Sequence, residues 1–475
     1  MSESTTTTIQ EAFTRQRETA LRLRTSTAAE RIAKLVRLRD AVIARREAWY
    51  RAGDADFRKP PGEVDLAEIV PVVVAANNAI RHLRGWMRPQ HVWPTAMLLG
   101  TRSHLRHEPR GRCLIISPWN YPLNLCLSPL VSAIAAGNTV IIKPSELTPA
   151  VSAEVKSLIA EIFTPDEVTV FEGDASVAQA LLELPFDHIF FTGSPAVGRL
   201  VMAAAAKHLT TVTLELGGKT PVVVDATADL DLAAQVVMWS KCNNAGQTCV
   251  APDHLYIHAS VKDAFVTRCR AQLEAAYGAS QPAPGTTHLP SLAHVVNRRH
   301  TARIKGLLDD AKARGAHVLT GGEIAEDERF VPPTLLDNVD PASDIMQHEI
   351  FGPLLPIIPY TELNTVIDHI NAGPKPLALY IHSRDQANIE ALIGRTSTGG
   401  VCVNHAMIQY VHGNLPFGGV NESGMGTASG WYGFRSFSHE RAIVRTQVDM
   451  AAKLFKAGEV PEGLRRLLWR ILRWV

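Results

Sequence analysis

Apolar residues recur at helical spacing through the N-terminal part of the chain. Leu35 and Leu38 follow Thr27 and Glu30, whose separation is that of a capping box, so a helix is predicted to start just after Thr27. A second helical block is predicted for residues 64–86. Several prolines then interrupt the helical pattern before the next element begins.

From residue 113 onward the pattern changes to short, fully apolar runs that alternate with helical stretches. Such runs are typical of parallel strands buried on both faces, and their alternation with helices predicts βαβ units. The predicted strands are residues 113–117, 139–142, 168–171, 188–192, 221–225 and 254–258. The predicted helices include residues 121–136, 230–241 and 261–277. The fold class is therefore α/β, and a dinucleotide-binding architecture is one hypothesis that this rhythm favours without establishing it.

Composition narrows the class of protein further. The chain has 475 residues, 46% of them hydrophobic, which suits roughly two to four domains with real cores and excludes a disordered protein. The formal net charge is +1, so no overall basic character indicates binding to nucleic acid. Six cysteines without a C-x-x-C pair argue against a disulfide framework and against structural zinc, and no metal is expected. No signal peptide and no membrane-length apolar run is recognised, which predicts a cytoplasmic protein.

Two familiar phosphate-binding motifs fail on inspection. Gly218, Lys219 and Thr220 resemble the end of a Walker A loop, but Thr213 stands where that motif needs its first glycine. No G-x-G-x-x-G follows any predicted strand. If the protein binds a nucleotide, it must do so through a different structural motif.

Six short segments carry the strongest signal in the sequence. They are Pro118–Pro122, Lys143–Glu146, Phe191–Ser194, Leu214–Lys219, Asn244–Cys249 and Glu349–Pro353. Each segment is weak alone, but the six in this order are specific, and the sequence resembles the aldehyde dehydrogenase superfamily. The surrounding detail is most similar to class 3 members, which include fatty and aromatic aldehyde dehydrogenases. The resemblance runs from about residue 64 to residue 445.

By this resemblance Cys249 is the catalytic nucleophile, a thiolate that attacks an aldehyde to give a thiohemiacetal. From the residues alone a buried apolar cysteine is the alternative, although Gly246, Gln247 and Thr248 just before it suit a loop that presents a side chain into a cleft. The resemblance makes Asn120 the side-chain donor to the resulting oxyanion, together with the backbone N–H of Cys249. The position of Asn120 before an apolar helix also suits a helix cap.

The resemblance assigns Glu215 the role of general base for hydrolysis of the thioester. Glu215 lies in the apolar run 212–216, where a carboxylate is costly unless it is paired or protonated, so a raised pKa is predicted. An ion pair with Lys219 at the strand end is the alternative. Retention of this base implies a free carboxylate as product, because relatives that transfer the acyl group do not need it.

Seven residues are implied to bind the cofactor. Lys143 and Glu146 match the adenosine ribose site, where a carboxylate repels a 2′-phosphate and favours NAD, with NADP as the alternative. A turn between strand and helix suits the pyrophosphate, because backbone N–H groups point out of a helix N-terminus. The turn contributes Gly193, Ser194 and Gly198, and the nicotinamide end is matched by Glu349 and Phe351.

The resemblance also implies a division into three parts. Residues 1–87 and 111–213 are predicted to form a Rossmann-like NAD(P)-binding domain, and residues 214–414 an α/β catalytic domain. Residues 88–110 and 415–475 are predicted to form a small bridging and oligomerisation element, which in the family builds a homodimer.

The last residues predict an amphipathic helix with a basic face. Its apolar positions are Leu464, Leu467, Leu468, Ile471, Leu472 and Val475, and its polar positions include Arg465, Arg466, Arg470 and Arg473, with Trp469 and Trp474 alongside. Such a helix suits peripheral contact with a membrane surface, and the alternative is docking over the substrate entrance or on a dimer partner.

The expected activity is NAD(P)-dependent oxidation of a hydrophobic aliphatic or aromatic aldehyde to its acid. The alternatives are an acyl-transferring or reductive relative, and a non-catalytic structural protein of the same fold. Residues 420–424 read Val-Asn-Glu-Ser-Gly where class 3 members usually read Val-Gly-Asn-Ser-Gly, which leaves the particular aldehyde open.

Overall fold

Three β-sheets organise the chain in the computed structural model, which describes residues 3–95, 98–278, 285, 287–448 and 461–471. The strands, in chain order, are β1 (Gln90–Val92), β2 (Thr101–Pro109), β3 (Arg112–Ile116), β4 (Thr139–Lys143), β5 (Val168–Val170), β6 (His188–Gly193), β7 (Thr211–Leu216), β8 (Pro221–Val224), β9 (His254–His258), β10 (His317–Thr320), β11 (Thr334–Asp337), β12 (Leu354–Tyr360), β13 (Ala378–His382), β14 (Gly400–Val403), β15 (Gly424–Met425) and β16 (Ser438–Thr446). The mixture of helices with largely parallel sheets confirms the predicted α/β class.

Helices cover these sheets and fill the N-terminal region. They are α1 (Glu3–Leu23), α2 (Ala28–Ala44), α3 (Arg46–Phe57), α4 (Pro61–Glu63), α5 (Val70–Trp86), α6 (Asn124–Ala136), α7 (Pro149–Ile162), α8 (Ala175–Leu182), α9 (Pro195–Ala206), α10 (Leu230–Cys242), α11 (Lys262–Tyr277), α12 (Arg298–Ala313), α13 (Asp344–Gln347), α14 (Leu363–Ala372), α15 (Gln386–Arg395), α16 (Ile408–Val411), α17 (Gly430–Ser436) and α18 (Glu462–Ile471). A π-helical turn, Val64–Ile69, joins α4 to α5. Over the described residues, no helix is both long and apolar enough to cross a membrane.

The predicted capping box at the start of α2 is confirmed. The Thr27 hydroxyl accepts a hydrogen bond from the backbone N–H of Glu30, and the Glu30 carboxylate accepts one from the backbone N–H of Thr27. These bonds satisfy two N–H groups that a helix start otherwise leaves unpaired. The local sequence therefore determines where α2 begins.

The six-stranded sheet has the order β15-β7-β6-β3-β4-β5. Its five long strands are parallel, and β15 adds to β7 in the antiparallel sense. The order of β3 to β7 is that of a doubly wound dinucleotide-binding fold. From β3 the strands are added first towards one edge of the sheet (β4, β5) and then towards the other (β6, β7), so the strand order reverses between β3 and β6. Ligands of such folds bind at the carboxyl ends of the strands beside that reversal, so the loops after β3 and β6 face the expected site.

One helix of this domain begins later than its sequence pattern predicts. Residues 121–136 were expected to be helical, but α6 begins at Asn124. The reason is a side chain distant in sequence: the backbone N–H of Asn124 donates to Glu68 Oε2 at 3.0 Å instead of to the carbonyl of Asn120. The first helical hydrogen bond runs from Leu125 to Tyr121.

The seven-stranded sheet has the order β10-β11-β12-β9-β8-β13-β14. All its neighbouring strands are parallel except β10 and β11, and the predicted strands at 221–225 and 254–258 are confirmed as β8 and β9. Helix α10 leads from this sheet into the loop that carries Cys249. The predicted domain boundary between residues 213 and 214 falls inside β7, and the division into domains stays a prediction.

The three-stranded sheet is antiparallel and has the order β1-β2-β16. Strand β16 pairs with β2 along its whole length, from Ser438 opposite Pro109 to Thr446 opposite Thr101. Just before β16, Gly424 of β15 pairs with Glu215 of β7. The chain beyond residue 415 therefore returns to the edge of the six-stranded sheet before it reaches the small sheet.

The predicted C-terminal helix is present as α18, Glu462–Ile471. Arg465, Arg466 and Arg470 are exposed, and the side chain of Trp469 is exposed as well. The rest of the predicted amphipathic pattern lies outside the described part of the chain, namely the side chains of Leu464, Leu467, Leu468 and Ile471 and the whole of residues 472–475.

Candidate active site

A mostly apolar cleft opens beside α5 and α6 and reaches both Cys249 and Glu215. Its volume is about 1180 Å³, including the solvent at its mouth. The walls come from elements far apart in sequence, among them Val70, Val74, Trp86, Leu125, Tyr410 and Phe417. A thiol and a carboxyl group at the base of an apolar cleft form a candidate active site.

Cys249 lies on a loop with an unusual backbone. The loop begins with a tight 3-10 turn, Asn243–Gly246, in which Asn244 and Ala245 adopt left-handed conformations with φ of 52° and 51°. Burial, together with the nearby carboxyl groups of Glu349 and Glu215, raises the pKa of the Cys249 thiol to about 12. The resting side chain is therefore a protonated thiol that needs a base for activation.

Asn120 contacts the cysteine loop directly. Its side-chain Nδ2 donates to the backbone carbonyl of Gln247 at 3.0 Å, and the residue is 3% exposed. The interpretation of Asn120 as a helix cap is wrong, because α6 begins at Asn124 after Leu123. An amide nitrogen carries two hydrogens, so one N–H of Asn120 is left for a further acceptor.

Glu215 is buried in β7 without a counter-ion. Over the described residues neither carboxyl oxygen has a hydrogen-bond partner, and burial holds the pKa of this side chain well above its usual value. The alternative of an ion pair with Lys219 is wrong, because the Lys219 ammonium pairs with Asp253. A carboxyl group with such a raised pKa is a strong base once it is ionised.

Lys143 and Glu146 lie together at the carboxyl end of β4. Lys143 Nζ and Glu146 Oε2 are 2.7 Å apart, with the lysine side chain buried and the glutamate 42% exposed. The pair lies at the carboxyl end of β4, next to β3 in the sheet. Glu146 is therefore accessible to a ligand that crosses this edge of the sheet.

The turn between β6 and α9 brings Gly193, Ser194 and Gly198 together. Ser194 caps α9 by accepting a hydrogen bond from the backbone N–H of Val197. A Cβ on Gly198 would lie 2.7 Å from Leu216, so the helix packs closely on β7 only with glycine there. A helix N-terminus at a strand end is suited to a pyrophosphate group.

Glu349 and Phe351 form the opposite side of the site. Glu349 Oε1 accepts a hydrogen bond from the backbone N–H of Gly218 at 3.1 Å, and burial raises the pKa of Glu349 to about 7. A Cβ on Gly217 would lie 2.3 Å from Glu349 Oε2, so only glycine leaves room for the carboxylate. Phe351 has φ of 46°, a strained value for a bulky residue, and its ring lies edge-on to Trp119.

Comparison with known proteins identifies the family. The family model described as "Aldehyde dehydrogenase family" matches residues 1–443. The chain is 42% identical over 398 residues to the 4,4'-diaponeurosporen-aldehyde dehydrogenase of Staphylococcus aureus, covering 84% of each chain. The chain belongs to the aldehyde dehydrogenase family. This aldehyde dehydrogenase is also 38% identical over 433 residues to aldehyde dehydrogenase family 3 member A2 of Pongo abelii, covering 91% of this chain and 86% of the relative.

A solved structure agrees with the assignment. The structure described as the substrate-bound state of Staphylococcus aureus AldH superposes with a TM-score of 0.91 at 38% identity, covering 98% of this chain and 99% of the other. The predicted resemblance to class 3 members and the predicted enzyme class are both confirmed. This aldehyde dehydrogenase oxidises aldehydes with NAD or NADP, as its family does.

Several contributors to the site were not predicted from the sequence. Gln247 fixes Asn120, Gly217 makes room for Glu349, and Tyr121 shares a hydrogen bond with Thr248 beside the cysteine. The motifs contained these residues, but nothing in their spacing indicated which partners they contact. Part of the apolar wall comes from α5 and α6. The apolar spacing in these segments predicted helices, but it did not indicate that some of the apolar residues line a cleft.

The exposed carboxylate of Glu146 predicts a measurable cofactor preference. Glu146→Gln removes a negative charge and frees Lys143, so both changes favour a 2′-phosphate. The ratio of kcat/KM for NADP to that for NAD should rise roughly three- to tenfold, since unit charges a few ångströms apart at an exposed site interact by about 1 kcal/mol. Steady-state kinetics with both cofactors measure this ratio. An unchanged ratio would show that Glu146 does not face the ribose.

Proposed function

We propose that the enzyme oxidises hydrophobic aldehydes to free carboxylic acids, with Cys249 as nucleophile and Glu215 as general base. The observation that carries this proposal is an apolar cleft whose walls include both Cys249 and Glu215. The walls favour an aldehyde with an extended apolar group, because burial of that group supplies binding energy of about 25 cal/mol per Å². The reacting carbonyl would then lie against the thiol.

In the first step, the sulfur of Cys249 attacks the aldehyde carbon and forms a C–S bond. The thiol proton passes to a solvent base, so that Glu215 stays available for the later hydrolysis. The former carbonyl oxygen becomes negative. The free N–H of Asn120 and the backbone N–H of Cys249 are proposed to donate to that oxyanion, and such donors are each worth roughly 10²–10³ in rate.

The cofactor residues fit a dinucleotide. Doubly wound folds bind such ligands along one edge of the sheet. Three features lie along that edge here: the contact of Gly217 with Glu349, the helix N-terminus beside Ser194, and the exposed Glu146. We propose that Lys143 and Glu146 hold the adenosine ribose and that Gly193, Ser194 and Gly198 face the pyrophosphate. Glu349 and Phe351 would hold the nicotinamide end. When bound, the nicotinamide supplies the two-electron oxidant that accepts hydride.

In the last step, loss of hydride leaves a thioester on Cys249, and water must cleave it. Glu215 takes a proton from that water, the hydroxide oxygen attacks the acyl carbon, and the C–S bond breaks. The departing thiolate regains a proton and the acid leaves. A base is needed here because water is a poor nucleophile toward a thioester.

The presence of Glu215 argues against the first alternative, an acyl-transferring or reductive enzyme. Transfer to a thiol or to phosphate does not require a base to activate water. The second alternative, a non-catalytic protein of this fold, is opposed by the presence of Cys249 and Glu215 in one cleft and by the contact of Asn120 with the cysteine loop. Product analysis separates the first alternative from hydrolysis.

The first test is a panel of aldehydes. Long aliphatic and aromatic aldehydes should give higher kcat/KM than acetaldehyde, by about tenfold for each 1.4 kcal/mol of additional apolar burial. The formation of NADH is followed by absorbance, and the product is identified as free acid without added coenzyme A. A strict requirement for an acyl acceptor would overturn the hydrolytic assignment.

The second test separates the two catalytic roles. Cys249→Ala should abolish aldehyde oxidation while cofactor binding persists. Glu215→Gln should give a near-stoichiometric burst of NADH followed by turnover slowed about 10²–10⁴-fold, because hydride loss precedes hydrolysis. Rapid-mixing absorbance resolves the burst. Full steady-state activity in either variant would contradict the role assigned to that residue.

We also propose that the protein is a homodimer. Helix α10 exposes Trp239 and Leu232, by 49% and 40% respectively, beside α11. Large apolar side chains that cluster on one surface are typical of subunit interfaces.

For α18 we propose peripheral contact with an anionic membrane surface, with a role as a gate over the cleft as the alternative. The exposed arginines and Trp469 support the first role, since each basic residue near an anionic surface contributes roughly 1 kcal/mol.

The third test therefore compares the full chain with a chain ending at Glu462. The full chain should co-sediment with vesicles of phosphatidylserine and phosphatidylcholine at low salt, and the shorter chain should remain in the supernatant. Equal, salt-insensitive partition of both would remove the membrane role. A change confined to KM for long aldehydes would indicate the gate.

A further inference from the structure

A buried ion pair lies directly behind the candidate oxyanion donor. Lys59 and Glu68 have side chains only 1% and 5% exposed, and Lys59 Nζ is 2.8 Å from Glu68 Oε1. The ammonium group also lies over the rings of Phe57 and Tyr121, at 4.7 and 4.9 Å from their centroids. The charge is thus compensated on every described side, and neither residue lines the cleft.

The ammonium group also contacts the backbone of the proposed oxyanion donor, Asn120. Lys59 Nζ donates to the carbonyl oxygen of Asn120 at 3.2 Å, and Asn244 Nδ2 donates to the same oxygen at 2.8 Å. The other end of the pair, Glu68 Oε2, takes the N–H of Asn124. In a regular helix that N–H would bond to the carbonyl of Asn120. The ion pair therefore replaces one helical hydrogen bond by two side-chain contacts.

This replacement sets the orientation of the Asn120 side chain. If the helix extended back over residue 120, the carbonyl of Asn120 would point along the helix axis and the residue would belong to the first turn. Instead, its peptide is held by Lys59 and Asn244, and its amide reaches the carbonyl of Gln247. Because these bonds fix the peptide and the amide of Asn120, they also fix the direction of the second N–H of the amide.

Stability alone does not account for the pair. Burying two charges costs desolvation energy that their attraction rarely exceeds, and well-packed neutral side chains of similar volume are often as stable. The π-helical turn that carries Glu68 is also a rare form that is frequent at functional sites. What this pair does in the structure is geometric, because it holds the backbone carbonyl of Asn120 and the N–H of Asn124.

We propose that Lys59 and Glu68 are positioning residues, which hold the backbone of Asn120 so that its side chain stabilises the oxyanion. The inference rests on the proposed function, in which Asn120 is the oxyanion donor. The pair acts through Asn120 and does not touch the substrate. Loss of the pair should therefore lower the rate of the chemical step and leave KM for aldehyde and cofactor nearly unchanged.

The test is a double-mutant cycle between the pair and Asn120. The variant Lys59→Met/Glu68→Gln removes both charges together, and its glutamine keeps a carbonyl acceptor for the Asn124 N–H. It should lower kcat about tenfold or more when Asn120 is present, but less than about twofold in the Asn120→Ala background. Purely additive losses would overturn the proposal.

Two measurements separate positioning from a general structural effect. Alkylation of Cys249 by iodoacetamide develops no oxyanion, so its rate should be the same in the charge-free variant and in the unaltered enzyme. The matched control Lys34→Met/Glu167→Gln removes a partly buried ion pair of 2.7 Å between α2 and the residue before β5, and it should leave kcat unchanged. Equal losses of kcat in both neutralised variants, or a parallel fall in alkylation, would show a structural effect and overturn the proposal.

The outcomes also distinguish this inference from the proposed function. If Asn120→Ala alone leaves kcat unchanged, the oxyanion role of Asn120 fails, and the inference fails with it. If Asn120→Ala is severely impaired while the loss from Lys59→Met/Glu68→Gln is additive to it, only the positioning role fails. A thermal unfolding midpoint within a few degrees of the unaltered enzyme confirms that the charge-free variant is folded.

Discussion

The hydrogen bond from Asn120 Nδ2 to the carbonyl of Gln247 connects the two large sheets at the point where chemistry is proposed to occur. Asn120 follows β3 of the six-stranded sheet, and Gln247 belongs to the loop that follows α10 of the seven-stranded sheet. An oxyanion donor is useful only at a fixed position relative to its nucleophile. Together with the bond from Asn244 Nδ2 to the carbonyl of Asn120, this bond fixes that relation, because Cys249 lies two residues beyond Gln247.

Burial at this junction changes the pKa of the carboxyl groups there, and the direction of the change depends on whether a cation lies nearby. Asp253 is buried too, but its contact with Lys219 keeps its pKa well below the usual value. Glu215 has no such contact, and burial raises its pKa instead. Two buried carboxyl groups therefore have opposite protonation tendencies, set by whether a cation is near. The unpaired one is suited to accept a proton, and the paired one is suited to hold structure.

The sequence predicted those features that depend on local contacts. The capping box of Thr27 and Glu30 and the apolar strands of the parallel sheet are local, and the structure confirms them. Two interpretations were wrong: Asn120 as a helix cap, and an ion pair of Glu215 with Lys219. In each case the side chain bonds to a partner distant in sequence, Gln247 for Asn120 and Asp253 for Lys219. The roles of the site residues came from family resemblance, and they remain proposals that the geometry supports.

The backbone around Cys249 shows why no local rule could have predicted the site. Asn244 and Ala245 adopt left-handed conformations that cost roughly 1–3 kcal/mol each when nothing compensates. Compensation comes from outside the loop: the carboxylate of Glu63 accepts the N–H of Asn244, and Gln247 bonds to the carbonyl of His294 and to the N–H of Val296. These contacts come from two separate parts of the chain, residue 63 and residues 294–296. The cysteine loop can therefore hold its shape only after these distant segments have packed around it, which makes the active site a product of the tertiary fold.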